Sequence, residues 1–206
     1  MILALNAGTE HFAKEVAENV EKFFPMFSKI IVRTNFPMPE FVDKVPVGKL
    51  VFSYMDPVIF AARLSNFYKS DVFYCHADKL STMSDYFIKN FIGSKQLLTR
   101  GTWNDVNPEW TDESINIDYF KPFKAFLDYT KFDEPISAFR EEWIYYPRVS
   151  DSFLSDLEII KPVIEYNSLV GHSEWKFMGN GEGLALGYAI AKNNIDTSLF
   201  IDKYFL

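Results

Sequence analysis

Two patterns of apolar positions alternate along the first ninety residues. Short, mostly apolar runs over 2–5, 29–33, 50–54 and 71–75 have strand length and are bounded by turn residues. Between them apolar residues recur at helical spacing. Phe12, Val16, Ala17, Val20, Phe23 and Phe24 make one such stripe, and Val58, Ala61 and Ala62, with Ser65, make another. Thr9 is placed to cap the first helix, and Pro25 to stop it. Asp56-Pro57 opens the second helix with an acidic N-cap and a proline in the first turn. A further helix is expected over 82–91. Asn6-Ala7-Gly8-Thr9 closes the first run as a turn, and the stretch from Thr34 to Pro39 is too proline-rich to be regular.

This alternation predicts an α/β fold, a mostly parallel sheet flanked by helices. Parallel strands place their carboxyl ends along one edge, where open α/β sheets bind ligands. Asn6, Thr34, Asn35, Tyr54, His76 and Asp78 all fall there.

The second half is less regular. Residues 102–122 are rich in Trp, Asn, Asp and Pro and read as a long surface loop. A short helix is expected over 123–129, a strand over 142–146 and a helix over 152–160. A glycine turn at 179–183 is followed by a helix over 184–192 with Leu184, Ala185, Tyr188 and Ala189 at core spacing.

The length of 206 residues suits one compact domain over 1–206, with a half at 1–95 and a second at 96–206. The formal charge of −7, without a Lys/Arg-rich patch, argues against broad electrostatic binding to nucleic acid. The single cysteine, Cys75, excludes an internal disulfide; inside an apolar run it reads as a buried, inert thiol. The opening Met1-Ile-Leu-Ala-Leu lacks the basic start of a signal peptide, and no apolar stretch reaches the roughly 18 to 20 residues that span a bilayer. A cytoplasmic protein without membrane insertion is the expectation.

Candidate chemistry gathers around a few residues, each with two readings. Asp78, beyond the end of a buried strand, is either a rigidly held ligand-binding acid or a residue flanking the next helix. His76 is a metal ligand or a structural histidine. Arg63 is a phosphate partner or a surface side chain. Glu182, between Gly181 and Gly183, is a general base or a first-turn acid that favours its helix. Trp103, and the group His172, Glu174 and Trp175, pair flat faces with polar groups, as sugar sites do; equally, the tryptophans anchor the fold. No P-loop, Ser/His/Asp signature or Cys/His zinc spacing is present.

Ala62-Arg63-Leu-Ser-Asn66, Phe73-Tyr-Cys-His76-Ala-Asp78, Ser84-Asp85-Tyr86-Phe87 and the later Gly181-Glu182-Gly183 resemble motifs of the GT-A fold of nucleotide-sugar-dependent glycosyltransferases, family 2 and its relatives. The resemblance covers about the first ninety residues and 171–195. Two positions depart from it: His76 stands where the family's first metal-site acid would be, and Gly183 where its second helix acid would be.

The resemblance implies an enzyme, a glycosyltransferase that moves a sugar, with inversion, from a nucleotide diphosphate sugar to an acceptor hydroxyl. Asn6, Thr9, Thr34 and Asn35 would hold the nucleoside. Arg63, His76 and Asp78 would hold the diphosphate, with His76 and Asp78 on a divalent cation (Mn²⁺ or Mg²⁺). Glu182 would be the base. Trp103, His172, Glu174 and Trp175 would meet the acceptor, a glycan or a modified nucleobase of viral DNA. A catalytically inactive GT-A-like binding protein and a sugar-phosphate nucleotidyltransferase are the alternatives.

Overall fold

The computed structural model describes residues 1–48, 55–83, 88–89, 95–99, 121–169 and 181–196. Its strands are β1 (Ile2–Asn6), β2 (Lys29–Arg33), β3 (Asp43–Val45), β4 (Val72–His76), β5 (Leu98–Thr99) and β6 (Trp143–Tyr146). Its helices are α1 (Glu10–Asn19), α2 (Met55–Tyr68), α3 (Lys121–Thr130), α4 (Asp151–Leu169) and α5 (Gly181–Lys192), with short 3₁₀ turns over Val20–Phe23 and Ala77–Lys79. The α/β class with a mostly parallel sheet is what the alternation predicts.

Among the described residues the sheet has six strands in the order β3-β2-β1-β4-β6-β5. β1, β2, β3 and β4 are parallel where they pair, and β6 runs antiparallel to β4. The central strands are apolar on both faces because both faces are covered: Leu3, Ala4, Leu5, Val72, Phe73, Tyr74 and Cys75 are all buried. Order β2-β1-β4 means that the chain builds outward from β1 on one side and then crosses back to the other. The reversal leaves a switch point between the carboxyl ends of β1 and β4.

Local signals explain several elements. Thr9 caps α1, its Oγ1 accepting from the Phe12 N–H at 3.3 Å. β2 has the predicted bounds. β4 is shifted one residue onward from its predicted 71–75, so His76 is the last strand residue. Asp56 is a first-turn residue of α2 rather than its cap, and its carboxylate pairs with Lys161. α4 runs through Pro162, where the sequence favours a stop. The proline removes one backbone donor, but Ile160 and Ile164 are buried on either side of it, and packing along α5 outweighs that loss. α5 begins three residues before the predicted 184. The two-residue β5 and the short β3 have no counterpart in the sequence reading. The strand predicted over 50–54, the loop over 102–122 and most of the helix over 82–91 lie outside the described residues.

Contacts divide the chain into two compact units. The first comprises Met1–Phe52, Phe60–Leu98 and Glu142–Val149, the second Ser53–Ile59, Thr99–Glu141 and Ser150–Leu206. In the first, the Tyr145 hydroxyl donates to Asp71 at 2.8 Å, tying β6 to the start of β4. Ser65 of α2 donates to the Pro147 carbonyl at 3.3 Å and accepts from the Val149 N–H at 3.2 Å. In the second, α4 packs along α5 and against α3. Asp156 of α4 accepts from Lys192 and from Asn193, each at 2.9 Å, fixing the end of α5. Among the described residues no helix is long and apolar enough to cross a membrane.

Candidate functional site

Strand register assembles the first site. Asn6, the last residue of β1, pairs with Arg33, the last of β2, and with His76, the last of β4. The His76 N–H donates to the Glu142 carbonyl at 2.9 Å, which extends the same rung toward β6. Arg33, Asn6, His76 and Glu142 therefore stand in one row across the carboxyl edge. Paired residues of a sheet share a face, so the row is a cation, an amide, an imidazole and a carboxylate side by side. It sits at the switch point. The Asn6 Oδ1 there is shielded from solvent and has no hydrogen-bond partner.

Burial lowers the pKa of His76 below the usual histidine value, while the nearby Asp78 and Glu142 carboxylates oppose the shift. The ring is therefore neutral at pH 7 and free to act as a ligand or hydrogen-bond partner. It meets Tyr74, two positions earlier on the same face, edge-on at 5.6 Å. Asp78 lies in the 3₁₀ turn after β4; its side chain is 44% exposed and pairs with Lys79 at 3.1 Å. Cys75 is buried, and burial, aided by Asp78 and Glu142, pushes its thiol pKa up. This matches the inert thiol expected from the sequence.

The remaining edge residues are used locally. Thr34 is buried, and its Oγ1 accepts from the Phe36 N–H at 3.2 Å. Asn35 clamps Val47, donating to its carbonyl at 3.0 Å and accepting from its N–H at 2.9 Å. Thr9 spends its hydroxyl on the helix cap. Arg63 is on the exposed side of α2 and outside the rung. The structure thus brings Asn6 and His76 together, with Asp78 near enough to act on His76, and commits Thr9, Thr34 and Asn35 to local backbone bonds. Arg33 and Glu142 were missed. The available signal was position: Arg33 ends its apolar run as Asn6 and His76 end theirs.

An imidazole and a carboxylate two residues apart suit a divalent cation that draws its other ligands from phosphate oxygens and water. Among the described residues no three His, Cys, Asp or Glu side chains cluster to hold an ion without such help.

The second site is in the other unit. Glu182, in the first turn of α5, is 4% exposed, as is Glu141. Burial pushes the Glu182 carboxyl well above the ordinary carboxylate range, Glu141 raises it further, and its own backbone N–H pulls the other way. The helix dipole alone would make Glu182 a weaker base; desolvation and a like charge reverse that. Its Oε2 is buried and unpartnered. Trp103, His172, Glu174 and Trp175 lie outside the described residues. No family model matches the chain, and no curated protein matches it.

Proposed function

We propose that the protein is a glycosyltransferase of GT-A type whose donor, a nucleotide diphosphate sugar, binds at the carboxyl edge of the sheet. The observation that carries this reading is the Asn6 amide oxygen, shielded from solvent without a partner at the switch point between Arg33 and His76. A ligand hydroxyl or N–H would satisfy it, and a crevice at a switch point is where such sheets take nucleotides. His76 and Asp78 are the pair that would hold a divalent cation; when bound, the cation would neutralise charge on the departing diphosphate. Glu182 is assigned the acceptor: its carboxylate takes the hydroxyl proton as the oxygen bonds to the sugar carbon. The bond from that carbon to the diphosphate oxygen breaks, and its electron pair leaves with the diphosphate. The acceptor is a glycan or a modified nucleobase.

A second reading, a binding protein that kept the fold without the reaction, draws on one observation: burial and Glu141 push the Glu182 carboxyl well above the ordinary carboxylate range, away from the ionised form that a base needs.

One pair of measurements separates the readings. Nucleoside diphosphates and their sugar conjugates, with and without Mn²⁺, should raise the melting temperature of the parent and not of Asp78→Asn. Glu182→Gln should bind donor normally and lose transfer by about a hundred- to ten-thousand-fold. Donor binding without transfer in the parent selects the binding protein, and equal binding by Asp78→Asn removes the site.

A further inference from the structure

Beneath the row at the carboxyl edge lies a second row on the same face of the sheet. Side chains two positions apart on a strand share a face. Ile31, Ala4, Tyr74 and Ile144 are paired across β2, β1, β4 and β6, each two residues from Arg33, Asn6, His76 and Glu142 in turn. All four are buried. Three are aliphatic, and the fourth, Tyr74, puts an aromatic ring under His76. The two rings meet at 5.6 Å between centroids with their planes 75° apart, an edge-on contact.

The main chain of His76 is fixed on both sides. Its N–H donates to the Glu142 carbonyl at 2.9 Å, and its own carbonyl accepts from the Cys75 thiol at 3.1 Å. These bonds do not fix the imidazole. Rotation about its Cβ–Cγ bond is broad and roughly two-fold. A half-turn exchanges Nδ1 with Cδ2 and Nε2 with Cε1, so a ligand that needs a nitrogen lone pair meets a carbon in one of the two settings. Ligating imidazoles are normally oriented by a neighbour in the next shell. An edge-on aromatic ring can do this. Its quadrupole acts with opposite sign on an imidazole C–H or N–H and on an imidazole lone pair, so the two settings differ in energy.

We propose that Tyr74 is a positioning residue: its ring holds the His76 imidazole in one of the two settings, with a nitrogen toward the carboxyl edge where the cation and diphosphate would bind. The ligand half rests on the reading of His76 as a cation ligand; the holding of the ring does not. Tyr74 lies a row below the edge, 1% exposed, and acts only through His76. Its contribution is the ring rather than the hydroxyl. Tyr74→Phe keeps the ring and should behave as the parent. Tyr74→Leu fills the space with an apolar side chain that has no ring, and should not.

The test joins NMR of the His76 ring to Mn²⁺ binding. The flanking strands offer reporters on either side, the Ala4 methyl on β1 and the Ile144 methyls on β6. In the metal-free parent and in Tyr74→Phe, the His76 Hδ2 should cross-relax to one flank and not to both. In Tyr74→Leu it should reach both. Should Tyr74→Leu fail to fold, the parent alone decides: equal contact with both flanks there overturns the proposal. Mn²⁺ with inorganic pyrophosphate, followed by electron paramagnetic resonance of the free ion, reads the ligand half. Affinity should match the parent in Tyr74→Phe and fall by about two- to tenfold in Tyr74→Leu, the range an aromatic contact supplies. The binding is read well below the melting temperature of each variant, so a loss of stability alone does not move it. Unchanged affinity in Tyr74→Leu overturns the positioning role, as does an equal loss in Tyr74→Phe. A parent whose ring is held but which binds no Mn²⁺ with pyrophosphate sinks the cation role of His76 and leaves the held ring standing.

Discussion

At His76, at the edge of the sheet, and at Glu182, at the start of α5, the pKa moves toward the neutral form by opposite balances. Burial disfavours the charged form of each. At His76 the neighbouring acids, Asp78 and Glu142, favour the imidazolium and work against burial. At Glu182 the neighbouring acid, Glu141, disfavours the carboxylate and works with burial. A carboxylate neighbour therefore tempers desolvation for a base and compounds it for an acid. The two effects partly cancel at His76 and add at Glu182.

The largest expected effect tests how firmly the sheet is closed beneath the edge site. Cys75 adjoins His76 but faces the buried side of β4, so a thiol reagent should reach it only through opening of the fold. Labelling should be slower than in the unfolded chain by about a thousandfold or more. Labelling at a comparable rate would mean that the edge is loose and that the burial argument for His76 fails.

The next effect strikes the other side of the comparison. Gly187→Ala would press a methyl group against the Ser137 carbonyl, with Ile136 Cγ2 at 3.0 Å. Backbone cannot swing aside as a side chain can, so the loss of stability should be about 3 kcal/mol. Whatever remains folded should show the Glu182 titration moving toward the ordinary range as the carboxyls part. Urea unfolding reads the first result, and a variant as stable as the parent would show that the approach of Ser137 to Gly187 is soft.

The smallest effect separates binding from folding at the edge. Asn6→Ala removes a buried oxygen that bonds to nothing, so stability should change by less than about 1 kcal/mol. Affinity for the nucleoside diphosphate should fall about tenfold, or about 1.4 kcal/mol. Calorimetry of parent and variant decides it: unchanged affinity would return Asn6 to a purely structural role.

Much of the fold was legible from local pattern. The apolar runs at 2–5, 29–33 and 71–75 became strands because unbroken burial on both faces requires such runs, and the Thr9 cap and the buried Cys75 followed from single residues in context. The placing of Asn6, His76 and Asp78 at a carboxyl edge was also legible, because strand ends can be read along the chain. Tertiary structure decided the rest. Period and run length indicate which residues face inward, but they do not say which strand lies alongside. Only pairing puts Arg33 and His76 on either side of Asn6 and inserts β6, antiparallel to β4, between β4 and β5. α4 continues through Pro162 because burial of Ile160 and Ile164 outweighs a local signal to stop. Glu141 and Glu182 are forty-one positions apart, and nothing in the sequence links the two. The raised pKa of Glu182 comes from burial and from Glu141, nonlocal properties that no window of sequence contains.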